Sequence, residues 1–169
     1  MMRKLSLKLH KEGHRIYVLS GKRNPSEHYE YVFERYDFPY TADSVKEVFR
    51  SVNPDVTVIL GAFDSNFHEK DSKKEAVAYT AGLQNILLSW AAIDKGRLIY
   101  LSSVEVYGSS YQAPVTEAVA PVPFGIRATT LLQAEESCKF YKERLKKDVV
   151  VLRLDKIYDV PRNKDDALL

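Results

Sequence analysis

Cysteine is almost absent from this sequence, and its scarcity already limits the class of protein. Cys138 is the only one, so no disulfide can form within the chain, and a reducing compartment fits best. No apolar run is long enough to span a bilayer, and no charged-then-apolar leader stands at the start. These absences favour a cytoplasmic location with no membrane partner.

An excess of charge of one sign is lacking as well. The formal net charge is +2 over 169 residues, which is too small to indicate binding to nucleic acid or to an anionic membrane. The 4 histidines show no metal-ligand spacing, alone or with Cys138, so no metal site is predicted. The length suits a single domain, residues 1–169, with a full core.

The sequence does contain apolar runs that alternate with helical patterns. Runs rich in β-branched and aromatic residues predict strands at 15–19, 29–34, 56–60, the opening of 97–108, and 149–154. Apolar residues at helical spacing predict helices at 1–12, 43–50, 75–93 and 127–146, the first capped by Gly13, while 63–74 is predicted as a loop. Strands that alternate with helices predict an α/β fold with a parallel sheet and helices on both faces.

The stretch Leu101-Ser102-Ser103-Val104-Glu105-Val106-Tyr107-Gly108 carries the clearest functional signal. A buried strand ends here in small hydroxyl residues, at the carboxyl edge of the predicted sheet, where open α/β folds bind ligands. Ser103 is therefore a candidate site residue. The alternative is a strand-end hydroxyl that satisfies nearby backbone groups.

Several motifs, in the right order, resemble the extended short-chain dehydrogenase/reductase family, the NAD-dependent epimerases and dehydratases of nucleotide sugars. The stretch that ends in Gly108 is the most specific motif. The others are Gly13-His14-Arg15-Ile16-Tyr17-Val18-Leu19, Tyr36-Asp37, Pro54-Asp55-Val56-Thr57-Val58-Ile59-Leu60-Gly61-Ala62, Gly82-Leu83-Gln84-Asn85-Ile86-Leu87 and Leu152-Arg153-Leu154. The resemblance covers nearly the whole chain and implies a Rossmann-like, doubly wound NAD(P)-binding domain.

The resemblance also implies where a cofactor binds. Ser20 stands where the family holds the adenosine ribose, and the basic residues after it suit the 2′-phosphate of NADP, whereas the alternative is a lysine-rich surface turn. Asp37 matches the residue that accepts a hydrogen bond from the adenine amino group, although an aspartate there is also an ordinary turn former. Gly61 and Ala62 let a cofactor pass close to the backbone, or simply end a strand tightly. NAD and NADP both remain open.

Parts of the family pattern are missing from these 169 residues. The sequence has no Gly-x-x-Gly-x-x-Gly turn between a first strand and a first helix, the turn that lets the backbone approach the pyrophosphate. The substrate domain that the family places after the sheet is missing too. We therefore expect a fragment or truncated form without the first strand, which binds NAD(P) weakly or not at all.

The tyrosine that shuttles a proton in the family, and the lysine that lowers its pKa, have no counterparts. Alignment on the Ala-Glu pair of the following helix puts Arg127 and Leu131 at these positions, whereas alignment on the Pro-Phe-Gly sequence puts Phe124 and Ala128 there. Arginine cannot deprotonate in a protein, and phenylalanine has no hydroxyl. The sequence thus predicts an epimerase/dehydratase relative with impaired or no catalysis, or a pseudoenzyme that senses dinucleotide or dimerises.

The resemblance implies further roles and a partner. Ser103 matches the family's third catalytic residue, a hydroxyl that hydrogen-bonds the substrate oxygen. Glu105 lies where some dehydratases of the family carry acidic groups, and otherwise is a solvated loop carboxylate. The helices predicted at 75–93 and 127–146 correspond to those that form the family's homodimer interface, so a second copy is an expected partner beside a nucleotide sugar.

Overall fold

A computed structural model describes residues 2–20, 31–37, 39–60, 72–108 and 115–155. In chain order its elements are α1 (Met2–Lys11), β1 (Tyr17–Ser20), β2 (Glu34–Asp37), α2 (Ala42–Val52), β3 (Val56–Leu60), α3 (Ser72–Ala91), β4 (Arg97–Ser103), a 3₁₀ turn (Val104–Tyr107), α4 (Gly125–Glu143) and β5 (Val149–Leu154). Every strand pairing in these ranges is parallel. The predicted α/β class with a parallel sheet is therefore confirmed.

The strands form two parallel sheets. β1 pairs with β2, and the other three strands lie in the order β3-β4-β5. Among the described residues, no strand joins β1 to β3. On the larger sheet, α2 packs on α3, α3 packs on α4, and α4 contacts β4 and β5. Because parallel strands share one direction, the carboxyl ends of β3, β4 and β5 meet at one edge.

Gly13 ends α1 as predicted. Its φ angle is +86°, a left-handed conformation that glycine adopts without the penalty of a Cβ atom. The Gly13 N–H donates to the His10 carbonyl at 3.0 Å, and the His14 N–H donates to the Leu9 carbonyl at 3.0 Å. This pair of bonds is a Schellman motif, which satisfies the last carbonyls of α1 before the chain enters β1.

α2 is closed at both ends by local hydrogen bonds. The Thr41 hydroxyl accepts a bond from the Ser44 N–H, which is the usual satisfaction of a free N–H at a helix start. Asn53, with φ of +45°, donates its N–H to the Phe49 carbonyl, and Pro54 then prevents continuation of the helix. Val45, Val48 and Phe49 form the buried face. The predicted helix is therefore confirmed, although it begins one residue earlier and ends two residues later than predicted.

Several predicted boundaries are wrong. The helix predicted at 127–146 is Gly125–Glu143, and the helix predicted at 75–93 ends at Ala91. The strand predicted at 29–34 lies instead at Glu34–Asp37, because its partner β1 begins at Tyr17 and the register places Glu34 opposite it. Asp37 is the last residue of this strand. The helix α3 begins at Ser72, so the predicted loop 63–74 is wrong over its last three residues, and its first part lies outside the described residues.

The core lies between the larger sheet and its helices. In β4 the side chains alternate, with Leu98, Tyr100 and Ser102 buried, as expected for a strand with one face against helices. The largest fully buried side chains are Trp90, Tyr100, Leu87, Leu98, Leu131, Val45, Val106 and Cys138. Tyr79 of α3 and Tyr100 of β4 join their hydroxyls at 2.8 Å inside this layer.

Candidate functional site

Ser103 is the last residue of β4 and lies at the carboxyl edge of the larger sheet. Its hydroxyl oxygen accepts a hydrogen bond from the Glu105 N–H at 3.2 Å and caps the 3₁₀ turn. The geometry therefore includes the alternative role, in which the strand-end hydroxyl of Ser103 satisfies a nearby backbone N–H. A hydroxyl that accepts one bond still has a proton to donate, so the same arrangement leaves Ser103 able to hydrogen-bond a ligand oxygen.

Arg127, in the first turn of α4, faces Glu105 of the 3₁₀ turn. The Arg127 Nε lies 3.2 Å from the Glu105 Oε2, and the two side chains are 40% and 48% exposed. This ion pair places a permanent positive charge at one of the two positions where the family resemblance calls for the proton-shuttling phenol. A guanidinium at this position can bind and orient an anion, but it cannot exchange a proton.

The other alignment leads to the same chemical result. Phe124, the residue that precedes α4, exposes 85% of its surface, while Ala128 is 3% exposed and Leu131 is 0% exposed. Both positions that would hold the lysine are therefore occupied by apolar side chains packed in the interior. In either alignment the position of the lysine itself therefore carries no cation that could lower the pKa of a neighbouring phenol.

A buried charged cluster fixes the 3₁₀ turn next to the site. Arg153 of β5 binds Glu135 of α4 in a forked arrangement, with Nη2 to Oε2 at 2.7 Å and Nε to both carboxylate oxygens at 3.1 Å. The Arg153 guanidinium also lies 4.6 Å from the centre of the Tyr107 ring. The hydrogen bonds to Glu135 raise the pKa of Arg153 above its usual value. One arginine thus ties β5, α4 and the 3₁₀ turn together.

The sequence motifs did not reveal this cluster. Glu135 and Arg153 lie 18 positions apart, and they served only as register markers in the motif comparison. The available signal was a glutamate on the buried side of α4, in line with Leu131 and Cys138 at helical spacing. A carboxylate on such a face needs a charged partner.

The residues predicted to hold the adenosine half of a dinucleotide lie at the end of the smaller sheet. Ser20 and Asp37 are the last residues of β1 and β2, and they stand opposite each other in the register. Both residues end parallel strands at one edge, and their role at the adenosine half of NAD or NADP stays a prediction. Gly61 and Ala62 lie outside the described residues.

Metal and thiol chemistry find no support in the described ranges. No cluster of three His, Cys, Asp or Glu side chains there is arranged to hold a metal ion. Over the same ranges, no helix is both long and apolar enough to cross a bilayer.

The thiol of Cys138 is buried, and burial raises its pKa to about 12, so it stays protonated at neutral pH and is a poor nucleophile.

Comparison with known proteins agrees with the motif analysis. The profile of the NAD dependent epimerase/dehydratase family matches residues 3–166, which is nearly the whole chain. No curated protein matches the sequence.

Solved structures resemble the fold over most of this chain. The UDP-glucose 4-epimerase of Brucella ovis, in complex with NAD, superposes with a TM-score of 0.78 at 18% identity, covering 89% of this chain and 47% of that chain. The UDP-glucose 4-epimerase of Thermotoga maritima, with UDP-glucose, gives 0.78 at 16% identity, over 89% and 50%. The UDP-Glc/GlcNAc 4-epimerase of Campylobacter jejuni gives 0.76 at 16%, over 90% and 49%. The chain spans about half the length of these proteins.

Proposed function

Because the chain belongs to the NAD-dependent epimerase/dehydratase family, we propose that it is part of a protein that binds NAD(P) and a nucleotide sugar but has impaired or no hydride chemistry at the Tyr-Lys positions. One observation carries this proposal. Whichever alignment is used, the lysine position is a buried apolar residue, Ala128 or Leu131. The family's means of lowering the pKa of a catalytic phenol is therefore missing at this position.

The nucleotide sugar enters the proposal through the solved relatives. The Thermotoga maritima structure contains UDP-glucose, and the Brucella ovis structure contains NAD. In this chain, the edge formed by Ser103, Glu105 and Arg127 is the described surface at which the sugar would lie. Ser103 is proposed to hydrogen-bond a sugar oxygen while its oxygen continues to cap the 3₁₀ turn.

A turnover experiment tests this proposal. The protein is incubated with NAD and with UDP-glucose or UDP-N-acetylglucosamine, and the hexose signals are followed by NMR. We expect no epimer of either sugar. Epimer formation that disappears in Arg127→Ala or in Phe124→Ala would contradict the proposal, because it would show that a group at one of these positions supports the chemistry.

Dinucleotide binding by residues 1–169 is proposed to be weak. Ser20 and Asp37 provide positions for the adenosine half, whereas this sequence offers no glycine turn that would cradle the pyrophosphate. Calorimetry with NAD and with NADP tests this step, and a micromolar dissociation constant for either would contradict it. A preference for NADP would assign Ser20 and the basic residues after it to the 2′-phosphate.

A second candidate function is a dimerisation or dinucleotide-sensing module without catalysis. It is favoured by apolar side chains on the outer side of α3 and α4, where Val77, Leu88 and Phe140 are each more than half exposed. Val77, Gln84 and Leu88 share one face of α3 by helical spacing, and Gln84 donates to the Ser137 hydroxyl of α4 at 2.9 Å. We propose that a second copy covers this two-helix face.

The proposed setting is the cytoplasm. A single cysteine is expected in a reducing compartment, and the buried Cys138 thiol is consistent with it. A reporter fusion followed by fractionation tests the location, and recovery in an extracellular or membrane fraction would contradict it.

A further inference from the structure

Arg127 and Glu105 form an ion pair whose hydrogen bonding is incomplete. The Arg127 Nε lies 3.2 Å from the carboxylate, yet this buried nitrogen has no aligned hydrogen bond to any described residue. By contrast, Arg153 and Glu135 share three hydrogen bonds of 3.1 Å or less. Arg127 is therefore held near Glu105 mainly by charge, and its planar set of donors is not saturated by that carboxylate.

Exposure makes the Glu105 carboxylate a weak competitor for Arg127. Both side chains are about half in solvent, at 40% and 48%, and an exposed ion pair of this kind is weak because water screens it. The backbone of Glu105 is held by the Ser103 hydroxyl, so the carboxylate is positioned by the 3₁₀ turn independently of the pair. A ligand anion can therefore displace Glu105 without unfolding the turn.

We propose that Arg127 is a binding residue for an anionic oxygen group, a carboxylate or a phosphate, of the ligand at the carboxyl edge of β4, and that Glu105 is its intramolecular competitor. The chemistry follows from the guanidinium, which stays charged and presents paired N–H donors to two oxygens of one anion. The inference rests on the proposed function, which supplies the ligand. It adds which chemical group of that ligand lies at the position of the missing phenol.

The test is an NMR titration of the ¹⁵N-labelled protein that follows the arginine Nε–H signals. Sodium glucuronate is the carboxylate probe, sodium phosphate is the phosphate probe, and glucose with sodium chloride at equal ionic strength is the neutral control. We expect a saturable shift of the Arg127 signal with at least one anion. The Arg97 signal serves as an internal control, because Arg97 binds Asp148 at 2.8 Å and is similarly exposed.

Variants separate ligand binding from a structural ion pair. Arg127→Gln, which has no guanidinium signal at this position and is followed through the backbone amide of Glu105, should abolish the saturable site. Glu105→Gln should tighten the site by about two- to five-fold, the factor that corresponds to losing an exposed ion pair. A structural pair predicts instead that both substitutions only lower stability. Tighter binding of glucuronate assigns the group to an acidic sugar, and tighter binding of phosphate assigns it to the nucleotide.

Three results would overturn this inference: a shift of Arg127 that only follows ionic strength, equal shifts of Arg127 and Arg97, or unchanged affinity in a folded Glu105→Gln variant. The unsubstituted protein supplies the first two readouts, so the test does not depend on the variants folding. A negative titration alongside absent epimer formation would reject the anion site and leave the proposed function standing, since the two are measured separately.

Discussion

Arg153 and Glu135 join the strand β5 to the helix α4 through a forked ion pair in which the carboxylate side chain is only 7% exposed. The arginine also stacks on Tyr107 at 4.6 Å. The pair therefore positions the turn that carries Glu105, whose N–H is held by the Ser103 hydroxyl. The candidate site depends on a charged contact that is not itself exposed at the site.

Replacing Arg153 should be strongly destabilising. Arg153→Met leaves the Glu135 carboxylate buried without a partner, which costs about 3–5 kcal/mol. The matched control is Arg97→Met, because Arg97 and Asp148 form an exposed pair that contributes about 0.2–1 kcal/mol. Urea unfolding measures both. Equal losses in the two variants would show that burial of Glu135 does not set the energy of its pair.

Gly108 should tolerate no side chain. Its φ of +74° and ψ of −160° lie in a region that glycine almost alone adopts, and a Cβ atom there would strike the Val122 carbonyl. We expect Gly108→Ala to cost roughly 2–4 kcal/mol, which combines the backbone strain with displacement of the segment before α4.

Gly13 is the matched control for that substitution. Its φ is +86°, and a Cβ atom added at this residue would meet nothing within 4 Å. Gly13→Ala should therefore cost only about 1 kcal/mol, from backbone strain alone. If thermal or urea unfolding gave equal losses for the two glycines, the close approach of Val122 would not contribute.

The Tyr79–Tyr100 pair should make stability fall at high pH. Burial raises the pKa of Tyr79 to about 12 from an ordinary value of 10.0, so the folded state keeps its proton while the unfolded state loses it. Stability from this group is complete below pH 10 and is lost between about pH 10 and pH 12. Tyr79→Phe should lose less stability over that interval in urea unfolding. Identical pH profiles would contradict the assignment.

Dimerisation through α3 and α4 should be sensitive to charge on the exposed face. Leu88→Asp places a carboxylate on that face and should shift the protein to a monomer in sedimentation velocity. Val119→Asp is the control, since Val119 is an exposed apolar residue outside both helices. A protein that sediments as a monomer before substitution would reject the proposed interface.

The fold was largely predictable because its strands and helices have strong local patterns. The run at 56–60 matches β3, and the helix that precedes it was predicted to within two residues at its ends. The position of β2 was predicted wrongly because Tyr31 and Phe33 alternate with charged residues, which is typical of a strand. β1 pairs instead with the four residues from Glu34 to Asp37. The observed strand, Glu34-Arg35-Tyr36-Asp37, is charged at both ends, and its bounds follow from its partner.

The site was only partly predictable, for a physical reason. Ser103 follows from a local motif, whereas the contact of Arg127 with Glu105 joins residues that are separated by the whole segment between β4 and α4. Such a contact depends on how a helix begins relative to a neighbouring strand, which no local pattern encodes. The predicted roles of Ser20 and Asp37 remain predictions, supported by their placement opposite each other.

The central claim is that hydride chemistry is impaired or absent at this edge. Its most direct measurement uses UDP-glucose deuterated at C4 of the glucose ring, and transfer of that deuterium to NAD is detected by mass spectrometry of the nicotinamide. Single-turnover transfer is more sensitive than epimer formation, because it requires no complete cycle. The account predicts no labelled nicotinamide, with or without Arg127→Ala. Labelled nicotinamide that is lost in Arg127→Ala or Phe124→Ala would contradict it.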